Sequence, residues 1–323
     1  MSSALEQVTT RGIKSFAVPI VLVFITALWG GSFIAIKIAL RQVTPMELIT
    51  ARFLPAALTL VGITAALSVG RGSINLWSAL NRADRIKLIV SSFLVVPAYN
   101  VSLHFGETIV PAGWAGLVIA LNPASISLFS ALILREKITW KRWVGIALAF
   151  SGIIFIALTH ETFDQGGQAL PVGRVLLGLF ITLGAVISWG GFSALSKDLI
   201  KSHPRILVLT WTIGLGVLWL LPVTLMDTVQ TAVKLDSEFW LAVVFLAIGC
   251  TVIGFGGWYW ALSQWEASRA GSFIYLVPIF ALLSGRWILH EQLDLLTGVG
   301  VLLVLSGVFL AASRSPEKSQ LNR

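Results

Sequence analysis

The sequence predicts an all-α polytopic membrane protein, with ten transmembrane helices arranged as two inverted five-helix repeats. Three observations carry that prediction. The 323 residues are 56% hydrophobic and 12% charged, whereas a soluble domain carries roughly a quarter charged residues. Apolar runs recur along the chain, each near the roughly 20 residues that a crossing helix needs, so the length holds about ten crossings. Finally, Trp29-Gly30-Gly31 with Lys37 is echoed by Trp189-Gly190-Gly191 with Lys197 at the same internal spacing, and self-similarity of this kind marks a duplicated unit.

In chain order, residues 1–16 are polar, hold Arg11 and Lys14, and read as a cytoplasmic tail. The first span, 17–40, is longer than the core of a secretory signal and continues through Trp29 to Lys37, so no cleaved leader is expected. Span 2 covers 45–69. The loop 71–85 carries Arg71, Arg82 and Arg85, with Trp77 and Leu80 expected at the interface. Spans 3 and 4 cover 86–105 and 110–134, and a basic turn with Arg135, Lys137, Lys141 and Arg142 leads into span 5, 143–158. The loop 160–172 holds His160, Glu161 and Asp164 but no Lys or Arg. Spans 6 to 10 follow at 175–196, 205–226, 239–262, 267–289 and 295–312, and the tail carries Arg314, Lys318 and Arg323.

Lys and Arg collect in alternate loops and in both tails, which places both termini in the cytoplasm. The net charge of +8 therefore reflects membrane orientation and not a nucleic-acid partner. The lone Cys250 cannot form an intrachain disulfide. The expected organisation is a tail (1–16), a first repeat (17–159), a periplasmic linker (160–173), a second repeat (174–312) and a cytoplasmic tail (313–323).

The duplication extends beyond the tryptophan motif. Pro123 and Pro278, Glu136 and Glu291, Gly145 and Gly300, and Ser151-Gly152 and Ser306-Gly307 pair at one common offset, while Trp29/Trp189 and Lys37/Lys197 pair at a slightly larger one. Five spans is an odd number, so the second unit enters the bilayer upside down, as in many secondary transporters.

With Arg52-Phe53, Asn122-Pro123 and Arg135-Glu136-Lys137 added to the tryptophan motif, the chain resembles the EamA-type proteins of the drug/metabolite transporter superfamily over residues 17 to 312. That resemblance implies a multi-pass exporter of the bacterial inner membrane. Its cargo would be small metabolites, such as amino acids or related compounds, or else drugs and toxic compounds. A membrane enzyme or a non-transporting sensor is the reading from a different class.

For a site near the bilayer middle, Trp29 and Trp189 are read as cavity walls or as helix-packing residues. Asn100 and His104 lie four apart and share a helix face. With Ser32, Asn122, Ser193, Tyr259 and Tyr275 they are expected either to bind a polar ligand or to hydrogen-bond between helices. Lys37 and Lys197 would guard opposite mouths or snorkel to the interface. Arg52 lies too deep for simple snorkelling, so it requires a partner or a carboxylate ligand, and its repeat mate falls near Trp211-Thr212. Pro123 and Pro278 are expected inside spans, as paired hinges or static kinks. Trp114, Trp240 and Trp287 read as interface anchors. No Asp or Glu is expected in the middle of any span. No phosphate loop or catalytic triad is recognisable, and His290-Glu291 lacks the second histidine of a zinc-protease helix. The chain is therefore expected to be neither an enzyme nor a metal or cofactor protein, with a small-molecule substrate and the lipid bilayer as its partners.

Overall fold

The computed structural model describes residues 2–68, 76–134, 140–159, 170–231, 235–264, 270–288 and 295–312. Glu136, Glu291, the basic turn at 135–137, most of the loop 160–172 and the side chain of Lys197 lie outside the described residues.

The described chain is helical. In the first half the helices are α1 (Ser2–Ala39), α2 (Pro45–Ser68), the short α3 (Leu76–Ala79), α4 (Arg82–Phe93), α5 (Tyr99–Glu107), α6 (Ala112–Ile119), α7 (Asn122–Leu134) and α8 (Trp140–Thr159). In the second they are α9 (Val172–Ser202), α10 (Arg205–Thr231), α11 (Ser237–Val244), α12 (Gly254–Gln264), α13 (Val277–Ile288) and α14 (Leu295–Ala312). Six stretches among the described residues are long and apolar enough to cross a bilayer, at Ala17–Ala39, Pro45–Ser68, Arg82–Glu107, Val172–Ser202, Arg205–Pro222 and Ser237–Gln264. The polar stretch 2–16 is helical and continuous with the first span in α1.

Two of the long stretches are not uniform. π-helical turns at Leu94–Ala98 join α4 to α5, and π-helical turns at Phe245–Ile253 join α11 to α12. Such turns are rare and cluster at functional sites. Pro97 lies in the first.

Packing is reciprocal between the halves. The helix α1 lies against α11, the second π segment, α12 and α13, and α9 lies against α4, the first π segment, α5 and α7. The helix α2 pairs with α10, and α8 with α14. Glycines make these approaches possible. A Cβ on Gly30 would fall 2.3 Å from Phe280 Cβ, and one on Gly190 would fall 2.1 Å from Ser125 Oγ. Ser125 and Phe280 stand at the Pro123/Pro278 offset, so the two glycines serve equivalent crossings.

Helix starts are capped by side chains. Thr44 and Glu47 form a capping box: Glu47 Oε2 accepts from the Thr44 N–H at 2.7 Å, and Thr44 Oγ1 accepts from the Glu47 N–H at 3.4 Å. Asp236 caps α11 through the Phe239 N–H at 2.9 Å and is gripped by Gln42 Nε2 at 2.7 Å. Across the molecule, Asn81 caps α4, and His203 reaches Asp84 at 3.4 Å.

Three local expectations are corrected. Trp114 is buried inside the fold and is not an interface anchor, whereas Trp240 and Trp287 are exposed. Leu80 is buried, and Trp77 stacks on Trp211 at 5.8 Å, so this segment packs on α10. The third span runs on to a fully buried Glu107, beyond the boundary that its hydropathy suggests.

Two outcomes follow from this packing. Gly190→Ala should lower the melting temperature of detergent-purified protein by an amount equivalent to about 1–3 kcal/mol of overpacking. Gly31→Ala, whose Cβ would meet only the Phe245 ring, at 3.4 Å to Cζ and 3.8 Å to Cε1, should be nearly neutral. Asp236 is held below the usual carboxylate range, chiefly by the Phe239 N–H and then by Gln42. A depressed folded-state value stabilises above that range and is lost as pH falls through it. The melting-temperature gap between wild type and Asp236→Ala should therefore be open at neutral pH and close on acidification.

Candidate functional site

Where α1, α2, α5, α7, α9, α12 and α13 converge, the structure encloses a cavity of about 40 Å³. Its lining includes Trp29, Ser32, Arg52, Tyr99, Asn122 and Trp189, with apolar walls from Phe33, Leu103, Phe255 and Val277. A buried water needs roughly 10–15 Å³ of such space, so the cavity has room for about three.

Its floor is aromatic. Trp29 and Trp189 meet edge to face at 5.8 Å, and both contact Phe255, at 5.9 and 5.8 Å. Trp258 stands 5.6 Å from Trp29, and Tyr99 stands 5.5 Å from Trp189. The Tyr99 hydroxyl faces the Asn122 side chain. This clustering follows from the glycine pairs, which bring α1 and α9 close to their neighbours and turn each preceding tryptophan inward.

The polar side of the cavity is organised by Arg52, which is only 5% exposed. Its Nε donates to Thr251 Oγ1 at 3.0 Å and its Nη1 to Asn100 Oδ1 at 3.3 Å, while its guanidinium carbon lies 4.8 Å over the Phe53 ring. Both acceptors are tied to the π segments. Asn100 Nδ2 donates to the carbonyls of Val95 and Val96 at 2.9 Å each, and Thr251 Oγ1 donates to the carbonyl of Leu246 at 2.9 Å. Arg52 thus joins the irregular turns of both halves. Sequence reasoning placed Arg52 too deep to be free and required a partner or a carboxylate ligand for it; Thr251 and Asn100 are its hydrogen-bond partners.

Trp29 and Trp189 differ in one respect. Trp29 Nε1 donates to the Cys250 carbonyl at 3.1 Å. Val95, at the Pro123/Pro278 offset from Cys250, has its carbonyl taken by Asn100. Trp189 Nε1 is buried without a hydrogen-bond partner among the described residues, and so is Asn122 Oδ1.

Of the residues singled out by sequence, Trp29, Ser32, Arg52, Asn122 and Trp189 line the cavity together. Asn100 and His104 do not. Asn100 anchors Arg52 from behind, and the buried His104 lies within electrostatic reach of Arg52, with its ring toward the Pro45 backbone. Tyr259 is buried elsewhere, facing Thr212 and Ser196, and among the described residues none of the three hydroxyls has a hydrogen bond of normal geometry. Ser193 and Tyr275 are half-buried and do not line the cavity.

Lys37 donates to the carbonyls of Glu107 and Val110 at 2.8 and 2.7 Å, fastening the turn after α5. This ties it to the fold instead of leaving it at an open mouth. Pro123 and Pro278 are each the second residue of a helix, the one after a tightened turn at 120–121 and the other after a 3-10 segment, Ser272–Leu276. They start helices rather than kink their interiors, because a first-turn N–H has no intrahelical acceptor to lose. Thr251, Phe255 and Trp258 went unmarked in the sequence reading of the site.

Comparison with known proteins adds the family. The model of the EamA-like transporter family matches residues 17–158 and again 176–313. An uncharacterized transporter of Archaeoglobus fulgidus is 31% identical over 91% of this chain and 98% of its own length. A protein of Escherichia coli K12 named "Probable amino-acid metabolite efflux pump" is 25% identical over 90% of this chain and 93% of its own. One of Streptantibioticus cattleyicolor, named "Probable terminal-alkyne amino-acid exporter", is 28% identical over 91% and 93%. A solved crystal structure shares the fold at a TM-score of 0.59 and 20% identity, covering 91% of this chain and 96% of that one.

The asymmetry between the tryptophans predicts different costs. Trp29→Phe removes a hydrogen bond to Cys250 and should lower stability by about 1 kcal/mol more than Trp189→Phe, which removes none among the described residues. Paired thermal melts of the two variants check this.

Proposed function

The chain belongs to the EamA-like transporter family, and on that premise we propose that it is a secondary transporter exporting small metabolites such as amino acids or related compounds. The carrying observation is the cavity itself, walled by Trp29 and Trp189 from the two matched segments and bordered by Arg52. The relatives named as amino-acid exporters support the cargo class and the direction.

In this reading the protein crosses a bacterial inner membrane ten times, with both termini in the cytoplasm. Repeats at 17–159 and 174–312 are joined by the linker 160–173, between tails 1–16 and 313–323, and are inverted about an axis in the membrane plane. The reciprocal packing of α1 and α9 supports this arrangement. An amino acid is larger than the few waters the cavity holds, so loading requires the halves to part. Alternating access would exchange which set of crossings is tight. Residues on the cavity wall would bind, while Asn100 and Thr251 would set the position of Arg52. The aromatic floor would hold an apolar side chain by burial and by edge-to-face contact.

Counterflow in proteoliposomes tests this. Vesicles preloaded with unlabelled phenylalanine or leucine should take up the labelled amino acid several-fold faster than empty vesicles. Trp189→Ala, purified as a monodisperse protein, should reduce that exchange about tenfold, equivalent to roughly 1.4 kcal/mol of lost ligand contact. Equal uptake by loaded and empty vesicles for every compound in a broad panel would remove transport by exchange.

A further inference from the structure

The geometry points to Arg52 as the anchor for a carboxylate on the transported solute, with the solute's amino group left unread by any acidic side chain. This rests on the transport reading above and specifies the substrate for the same cavity. A guanidinium carries five N–H donors in a rigid fork. Thr251 and Asn100 take two of them, which leaves three, and Arg52 lines the cavity. Its two acceptors are neutral, so they orient the charge without cancelling it. Each is itself pinned to π-segment carbonyls, which fixes the fork before any ligand arrives. A preset fork suits the bidentate geometry of a carboxylate.

No Asp or Glu is among the residues lining the cavity. Glu107, buried at the end of α5, lies within electrostatic reach of Arg52 but is not on the wall. A solute ammonium would therefore meet indole and phenol faces and the Asn122 side chain rather than a carboxylate. Trp189 stands on the same wall, with its Nε1 buried and without a hydrogen-bond partner among the described residues. A single cation on the wall matches a singly charged carboxylate, whereas a phosphate dianion would bring a second charge into an aromatic enclosure. The substrate class is thus a monocarboxylate with an apolar body, and 2-hydroxy acids fit as well as amino acids.

The experiment compares four phenyl compounds on the full-length wild-type protein in proteoliposomes, with labelled phenylalanine outside and each compound in turn inside. Phenylalanine and phenyllactate should both drive exchange, while phenethylamine and phenylalanine amide should be at least about tenfold weaker. Exchange driven by phenethylamine or the amide as well as by phenylalanine overturns the anchor and leaves transport standing. Failure of phenyllactate beside active phenylalanine overturns the unread amine. Silence from all four overturns the anchor for an apolar monocarboxylate, and the transport reading falls with it only where the broad panel is silent too. Arg52→Lys keeps the charge but loses the fork, and should weaken phenylalanine and phenyllactate exchange by the same factor. Because the analogue series uses unmutated protein, the outcome stands even if substitutions at this buried position do not fold.

Discussion

A guanidinium sealed among helices is the constraint from which the rest of the centre follows. Arg52 is nearly inaccessible to solvent, and a cation taken out of water is costly unless its donors are satisfied. Two neutral side chains meet it, one from each half of the chain. Regular helices at Leu94–Ala98 and Phe245–Ile253 would keep their carbonyls on the i→i−4 ladder. Carbonyls of the π segments accept from the side chains of Asn100, Thr251 and Trp29. Helix irregularity, arginine placement and tryptophan placement are thus one hydrogen-bonded arrangement, and disturbing any member strands a buried polar group in the others.

Much of the architecture was legible because it rests on composition and spacing. Apolar run length gave the six stretches that are long and apolar enough to cross a bilayer, and the repeated Trp-Gly-Gly found the two helices whose glycines meet Phe280 and Ser125 and whose tryptophans meet each other. The unusual depth of Arg52 was readable by counting inward from the loop. Its partners were not, because π turns leave no mark in a 3.6-residue pattern and Thr251 is an ordinary residue in an apolar run. Glu107 was passed over because hydropathy ends a span at the first acidic residue, whereas Lys37 bonds the carbonyls around that helix end. Thr44 and Glu47 carried a capping signature in plain view.

The two halves are alike in scaffold and unlike in chemistry. At the Trp29/Trp189 offset, Thr212 stands where Arg52 stands, and at the other offset Tyr259 stands where His104 stands. The Arg52–His104 corner is thus matched by a corner of hydroxyls, Thr212, Tyr259 and Ser196. Likewise Phe255 and Trp258 of the aromatic floor correspond to Asn100 and Leu103. The first half supplies the charge, while the acceptors that orient it and the aromatic surface come from both halves.

That division bears on how a carrier of this build could favour one direction. If two mirrored units were chemically identical, the inward-open and outward-open states would be equal in energy, and the protein itself would impose no preference between them. Here a cation sits in one corner and neutral hydroxyls in its counterpart. Opening the Arg52 corner to water relieves a buried charge, while opening the hydroxyl corner relieves only polar groups, and the first gain is the larger. A bound carboxylate changes that balance, because it satisfies the guanidinium without water and lowers the cost of closing over it. In the proposed orientation Arg52 lies toward the periplasmic side, so the empty carrier would favour opening outward and the loaded one would close more readily. The bias acts on rates and on the resting state. Net export must still draw its free energy from a solute or ion gradient, because a carrier's internal asymmetry cannot displace an equilibrium.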